Sequence, residues 1–333
     1  MLLTINLTKI TDNARKTITL CRPFGIEVVG VTKGVCGLPA AAHAMLASGI
    51  KILGDSRLDN IARMRDADIQ SPIILLRSPA PSEVSRCITL ADASLNADLN
   101  VIRALSEEAI ARNKTHGVTL MVDFDTGREG FAPEEVSGAC REILSLPGLK
   151  INGLGVYFPF HSDGDLHLAA QQSLVSMAKK IEHDLNITLQ VISGGSTNVF
   201  RTLILEGKQI FGVTQLRIGT AILLGISSSI GPRIITGLHH DTFVLDAELI
   251  EVKQRKSRLI GILALGQSDT ESQFLFPTSS GVKILDASSD HMILDLTDLM
   301  QAPKVGDRIT FRLGYYALNR LMLSPYVKIE YKD

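Results

Sequence analysis

Val28-Val29-Gly30-Val31-Thr32-Lys33-Gly34-Val35-Cys36-Gly37 reads as a buried strand that ends on a lysine and breaks at once into a small, flexible turn. An open nucleotide-binding sheet would carry a G-x-G-x-x-G turn after its first strand, and Lys33-Gly34-Val35-Cys36-Gly37 is not one, which favours strands closed into a barrel. The lysine has a chemical reading too. An ammonium at a buried strand end is costly to desolvate, so it is readily held as the neutral amine that imine formation with an aldehyde cofactor needs. Alternatively, Lys33 simply leaves the core for solvent.

Outward from this strand, short apolar runs alternate with helical patterns, the signature of parallel strands joined by crossover helices. Strands are expected at residues 28–33, 51–54, 73–77, 93–96, 119–123, 151–157, 190–193 and 215–218, with helices at 39–47, 59–66, 99–112, 133–146, 166–185 and 199–206. Eight strand-helix units in about 225 residues fit a (β/α)8 TIM barrel. After Gly225 the texture changes to Ser227-Ser228-Ser229-Ile230-Gly231-Pro232 and then to strand-like pieces near 243–253, 259–265, 281–285, 292–296, 307–312 and 326–331, bounded by turn formers such as Pro303, Gly306 and Asp307. The expected organisation is therefore a barrel over 1–226 and a mainly β domain over 227–333.

The 333 residues carry 34 basic and 35 acidic side chains and are 45% hydrophobic, enough for one large core or two smaller ones. Without a basic excess or an interleaved aromatic patch, and with no tryptophan, nothing favours nucleic acid, and a small-molecule ligand is expected. No segment is long and apolar enough to span a bilayer, and the first eleven residues do not form a secretory signal. Cys21, Cys36, Cys87 and Cys140 lack the spacing of a zinc site or a disulfide scaffold, which suits a reducing cytoplasm.

In such a barrel the reacting groups come from the carboxyl ends of the strands. There the sequence places Lys33, Asp55 with Ser56 and Arg57, Arg77, Asn96, Asp123 with Arg128, Tyr157, the run Ser193-Gly194-Gly195-Ser196-Thr197-Asn198, and Arg217 with Gly219 and Thr220. Two glycines, two hydroxyls and a helix start can cradle a phosphate without a Walker motif, although Ser196 or Thr197 as a plain helix cap remains the alternative. Arg217-Ile218-Gly219-Thr220 adds a second glycine turn at the last strand, where barrels often complete a phosphate site. An amine at the first strand with a phosphate cradle at the seventh and eighth describes pyridoxal phosphate held across the barrel mouth.

In order and spacing these motifs resemble the alanine racemase fold group, and within it the amino-acid racemases that include ornithine racemase. The matching stretches are Val31-Thr32-Lys33 with Cys36-Gly37, Gly54-Asp55-Ser56-Arg57-Leu58-Asp59-Asn60-Ile61, Arg128-Glu129-Gly130, Ile192-Ser193-Gly194-Gly195, Leu216-Arg217-Ile218-Gly219 with Ala221-Ile222-Leu223-Leu224-Gly225, Ala287-Ser288-Ser289-Asp290-His291-Met292-Ile293-Leu294-Asp295, and Ser324-Pro325-Tyr326-Val327. The resemblance implies that Lys33 forms the Schiff base and moves the proton on one face of the substrate α-carbon. It implies that Arg217 faces the pyridine nitrogen and, unable to give up its proton easily, leaves that nitrogen unprotonated. Ser196, Thr197, Gly219 and Thr220 match the phosphate turns, with Tyr326 a further phosphate candidate. Arg128 matches the arginine that approaches the phenolic oxygen or the substrate carboxylate, its alternative being a surface partner for Asp125 or Glu129. Asp290 and His291 match a loop delivered to the substrate entrance by the partner subunit of a homodimer, or else only shape a turn.

The match breaks in three places. Racemisation needs an acid or base on each face of the α-carbon, and the tyrosine that alanine racemases use for the second face has no clear counterpart. Only 254–258 joins the strands around 250–253 and 259–262, where a longer insert is usual, and Gly266-Gln267-Ser268-Asp269 has glutamine where alanine racemases carry tyrosine. Candidate second bases are Cys36, Tyr315, Tyr316, His291 and Asp290. After the sixth strand Pro159 stands about where a ring-stacking histidine is usual, with His161 as a possible substitute. The run Ser162-Asp163-Gly164-Asp165-Leu166-His167 is read as a solvated turn capping a helix rather than a metal site. The expectation is an amino-acid racemase, with a different pyridoxal-phosphate reaction such as decarboxylation or elimination, or a non-catalytic carrier, as rivals.

Overall fold

The computed structural model describes residues 1–158, 164–205, 207–208, 211–227 and 233–332. Pro159, His161, Ser162 and Asp163, and the last residue of the helix expected at 199–206, lie outside the described residues. The chain divides into two compact units, one made of Ala14–Lys33 and Gly37–Gly219, the other of Met1–Asn13, Gly34–Cys36 and Thr220–Asp333.

After β1 (Leu2–Asn6) and α1 (Leu7–Cys21), the first unit runs β2 (Glu27–Val31), α2 (Pro39–Ala47), β3 (Ile52–Asp55), α3 (Leu58–Asp66), β4 (Ile73–Leu75), α4 (Val84–Leu90), β5 (Ala93–Asn96) and α5 (Leu99–Ala111). It continues through β6 (His116–Val122), α6 (Val136–Leu144), β7 (Leu149–Val156), α7 (Gly164–Leu185), β8 (Val191–Ser196), α8 (Thr197–Leu205) and β9 (Gln215–Ile218). The strands β2 to β9 pair in sequence order and close into a barrel, all in parallel. Val29 sits opposite both Ile52 on β3 and Arg217 on β9, which seals the ring. Inside it Val29, Ile74, Ala93, Leu95 and Met121 form a buried cluster against which Ile52, Leu76 and Tyr157 pack.

Every residue of β4, β5, β6 and β9 is buried, as expected of parallel strands covered on both faces. The crossover helices cover the outside with amphipathic faces; α5, for example, starts at Asp98, whose carboxylate accepts from the amides of Asn100 at 2.8 Å and Val101 at 3.1 Å. No helix among the described residues is long and apolar enough to cross a membrane.

The second unit contains α9 (Thr220–Leu224), β10 (Phe243–Arg255), β11 (Arg258–Leu263), β12 (Leu275–Pro277), β13 (Lys283–Ala287), β14 (Met292–Asp295), β15 (Arg308–Leu313), α10 (Tyr315–Leu321) and β16 (Lys328–Lys332). Its strands form one sheet in the order β12-β15-β10-β11-β14-β13, antiparallel throughout that path. β1, which the sequence pattern did not mark, joins this sheet between β10 and β16, with Leu2 opposite Asp246 and Lys328.

A β-carbon on Gly153 would lie 1.7 Å from the Val191 carbonyl oxygen on β8, so β7 and β8 can approach as they do only with glycine there. Gly153→Ala is expected to lower stability by about 3 kcal/mol or more. Gly138, exposed on α6 with nothing within 4 Å of its would-be β-carbon, is the opposite case, and Gly138→Ala should raise stability by about 0.5–1 kcal/mol. Urea denaturation of both variants checks the pair.

Candidate active site at the strand ends

Lys33 stands two residues beyond β2 and opens a short 3-10 turn, Lys33–Val35. The turn is closed behind it by the Gly37 amide, which donates to the Thr32 carbonyl at 3.3 Å. Gly37 has φ +65°, and a β-carbon there would meet the Asn60 carbonyl oxygen at 2.6 Å, so both the backbone and the space demand glycine. The lysine side chain is accessible to solvent at the rim, yet enough protein surrounds its amine to act on its charge. Burial lowers its pKa below the ordinary lysine value, and the Arg128 and Arg217 guanidiniums push the same way against the carboxylates of Asp55 and Glu129. The result is an amine held neutral more readily than a free lysine.

Arg217 is 8% exposed near the end of β9. One guanidinium nitrogen donates to the Ser193 hydroxyl and another to the Val156 carbonyl at 2.7 Å, anchoring it to β8 and β7. Burial, followed by the facing Arg128, lowers its pKa to about 10, which still leaves it a cation at neutral pH. The pairing of β8 with β9 sets Ser196 opposite Arg217.

Arg128 lies in the loop after β6, where the Asp123 carboxylate gathers the amides of Thr126 at 2.7 Å and Gly127 at 3.2 Å into a turn. Its guanidinium pairs with Glu129 and stacks 3.1 Å above the centre of the Tyr157 ring. Arg128 has Glu129 as a partner, the alternative that the sequence offered, and its charge also acts on Lys33 and Arg217.

Lys33, Arg128, Arg217, Ser196, Thr197 and Gly219 thus belong to the barrel unit. Thr220, Tyr326, Asp290 and His291 belong to the β unit. Thr220 is buried at the start of α9, whereas Tyr326 is 76% exposed. Asp290 and His291 are exposed in the turn between β13 and β14, where the Ser289 hydroxyl donates to Asp290 at 2.7 Å and the Ser288 amide to the His291 carbonyl at 2.8 Å. Tyr315 and Tyr316, candidate second bases in the sequence, begin the helix α10, with Tyr315 edge-on to Tyr316 and beside Gly34. Cys36 is buried, and the Asn319 amide reaches its sulfur at 3.9 Å.

A model of the alanine racemase N-terminal domain matches residues 5–226. The chain belongs to the alanine racemase family. Lysine racemase of Thermotoga maritima is 35% identical over 99% of this chain and 98% of its own length, and ornithine racemase of Acetoanaerobium sticklandii 32% identical over 98% of each. Among solved structures, alanine racemase of Bacillus anthracis superimposes with a TM-score of 0.79 at 16% identity, covering 100% of this chain and 95% of that one. D-threonine aldolase of Filomicrobium marinum gives 0.76 at 17%, covering 96% and 88%, so one fold is shared by proteins named for different reactions.

Membership of the alanine racemase family implies pyridoxal phosphate, and the residues present fit that group. An amine of lowered pKa and a buried guanidinium stand at neighbouring strand ends. The turn into α8 supplies an anion cradle: Gly195 at φ +125° brings the backbone close, since a β-carbon would meet Val199 at 2.7 Å, and the first amides of a helix point out of its N-terminus. The Asn198 side-chain nitrogen beside it is buried without a hydrogen-bond partner among the described residues, a donor left for an anion. The residue that the sequence undervalued is Asp55, which is fully buried and held by three donors.

Arg217→Lys is expected to fold but to lose about 2–4 kcal/mol of stability, because one ammonium cannot replace a fork that bonds Ser193 and Val156 together. Thermal and urea denaturation of the cofactor-free protein read this directly.

Proposed function

We propose that the chain is a pyridoxal-phosphate racemase of a basic amino acid, with Lys33 as the proton carrier on one face of the α-carbon. The observation that carries the proposal is the amine of lowered pKa at the end of β2, acted on by the two arginines of the same strand-end ring. The likeness to lysine and ornithine racemases along almost the whole chain supports the basic substrate.

Pyridoxal phosphate, when bound, supplies an aldehyde that condenses with amines and a ring that acidifies the α-carbon of an attached amino acid. Lys33 Nζ would hold the cofactor and, as a neutral amine, would take the substrate α-proton and return it. The buried Arg217 guanidinium would face the ring nitrogen and, keeping its own proton, would leave that nitrogen unprotonated, which limits the charge drawn into the ring and disfavours transamination. Ser196, Thr197 and Gly219, with Thr220 next in the chain, bind the phosphate, and Tyr326 is retained as a phosphate partner on the resemblance alone. Arg128, stacked on Tyr157, orients the substrate carboxylate or the phenolic oxygen.

The opposite face of the α-carbon needs its own acid or base. We assign it to a β unit contributed by a second copy in a homodimer, whose Asp290 and His291 also meet the substrate at its entrance. The four cysteines, all free and buried, suit a cytoplasmic setting.

Cofactor labelling, mutation, proton exchange and dilution each test the proposal. Borohydride reduction of the loaded protein should fix pyridoxal phosphate on Lys33, and Lys33→Ala should lower turnover by about 10²–10⁴-fold or more. Proton NMR in heavy water should show loss of the α-proton of lysine or ornithine, with both enantiomers appearing, their carbon skeleton intact and deuterium at the α-carbon. Wild-type exchange in Lys33→Ala, or products that have lost the carboxylate or another part of the carbon skeleton, would overturn it. Activity should also fall on dilution below the dimer's dissociation constant, measured against sedimentation at the same concentrations.

A further inference from the structure

We propose that Asp55 is a positioning residue for Lys33: its buried carboxylate ties the residue before the lysine to the start of α3 and stands as a counter-charge to the amine among the arginines of the rim. The inference rests on the role proposed above for Lys33.

Asp55 is the last residue of β3 and 0% exposed. One carboxylate oxygen accepts from the Thr32 hydroxyl at 2.7 Å; the other accepts from the Asn60 side-chain amide at 2.9 Å and from the Arg57 amide at 3.0 Å. Thr32 is tied a second time, its amide donating to the Gly54 carbonyl at 3.0 Å. Asn60 in turn is the residue against which Gly37 closes the lysine turn. Both ends of the Lys33 turn are thereby referred to one carboxylate.

A buried carboxylate that only held a turn together is replaceable by a neutral hydrogen-bonding group. What a neutral group cannot supply is charge. The amine of Lys33 feels two guanidiniums, Arg128 and Arg217, and two carboxylates, Asp55 and Glu129. Glu129 is engaged with Arg128, so Asp55 is the carboxylate whose hydrogen bonds are all to neutral groups and whose charge is left to act on Lys33. Burial raises the Asp55 pKa, and the hydrogen bonds from Thr32, Asn60 and the amides of Arg57 and Ser56 pull the other way. Without it the lysine would be neutral but poorly able to carry a proton away from carbon; with it, the protonated amine is tolerated for the moment the reaction needs it.

Asp55→Asn keeps the shape. Its oxygen still accepts from Asn60 and Arg57, its amide can donate to the Thr32 hydroxyl, and that hydroxyl's proton can turn to the Gly54 carbonyl 3.4 Å away. Asp55→Ser is a second neutral replacement. The test is competitive labelling of the full-length, cofactor-free chain with acetic anhydride across pH, with the Lys33 peptide quantified by mass spectrometry and folding checked by circular dichroism. In either folded variant the pH of half-labelling at Lys33 should fall by about one unit relative to wild type, while Lys51, also on the barrel unit, labels as before. A folded variant whose Lys33 labels as in wild type overturns the proposal. Failure of both variants to fold overturns it as well, by giving Asp55 to the fold alone. Mapping of borohydride-fixed pyridoxal phosphate in wild type decides the functional reading separately, so an unlabelled Lys33 there would leave the labelling result on Asp55 standing.

Discussion

A closed parallel barrel buries both faces of its strands, and in this chain β4, β5, β6 and β9 have no exposed residue at all. Charged side chains therefore have tolerable places only where the strands stop. Among the neutral polar groups inside, the Ser94 hydroxyl meets the His116 ring at 2.8 Å, and the Asn96 amide donates to Ser94 at 2.9 Å. Burial pushes the His116 pKa down to about 4, so its imidazole stays neutral at physiological pH. Such groups are structural, whereas the strand ends collect Lys33, Arg217 and Asp55.

The rim is crowded with positive charge. Three cations acting on each other would repel, and the least costly relief is for the one with a labile proton to lose it. Arg217, even lowered to about 10, keeps its charge at neutral pH, and Arg128 spends part of its charge on Glu129 and the Tyr157 ring. Lys33 is the group left to yield. The two arginines thus add to burial in lowering the Lys33 pKa, and Asp55 works against them.

Much of the barrel was legible because its signals are local. The strands 93–96 and 215–218 and the helix 39–47 fall at the residues expected, since each is a short apolar run or a helical pattern closed by a polar or small residue. β1 was not legible: Leu2-Leu3-Thr4-Ile5-Asn6 is a strand because β10 and β16, more than two hundred residues away in sequence, pair with it. Nor was α9, whose five residues are all buried and carry no amphipathic period to read. At the site, the glycine turn before Ser196 and the lysine at 33 announced themselves by residue type. Asp55 stood in a recognisable motif, but its importance comes from complete burial and three donors, which only the fold creates.

The β unit shows why departures from a family pattern are better judged in three dimensions than along the chain. The glutamine at 267 lies in a loop zipped to the turn after β13, its amide donating to the Ser288 carbonyl at 2.8 Å and the Ser268 amide to that of Ser289 at 2.9 Å. The Gln267 side chain donates to Ser272 at 3.1 Å, and an amide has no proton to exchange with carbon near neutral pH. Asp269, the nearest ionisable neighbour, is engaged in holding the Gly266 amide at 3.1 Å. The same zipper, however, sets Asp290 and His291 at the other edge of this loop pair, exposed to solvent. A function lost with one residue of the loop can thus be carried by a neighbour that sequence spacing places more than twenty residues away, and that neighbour is where the second proton carrier is to be sought.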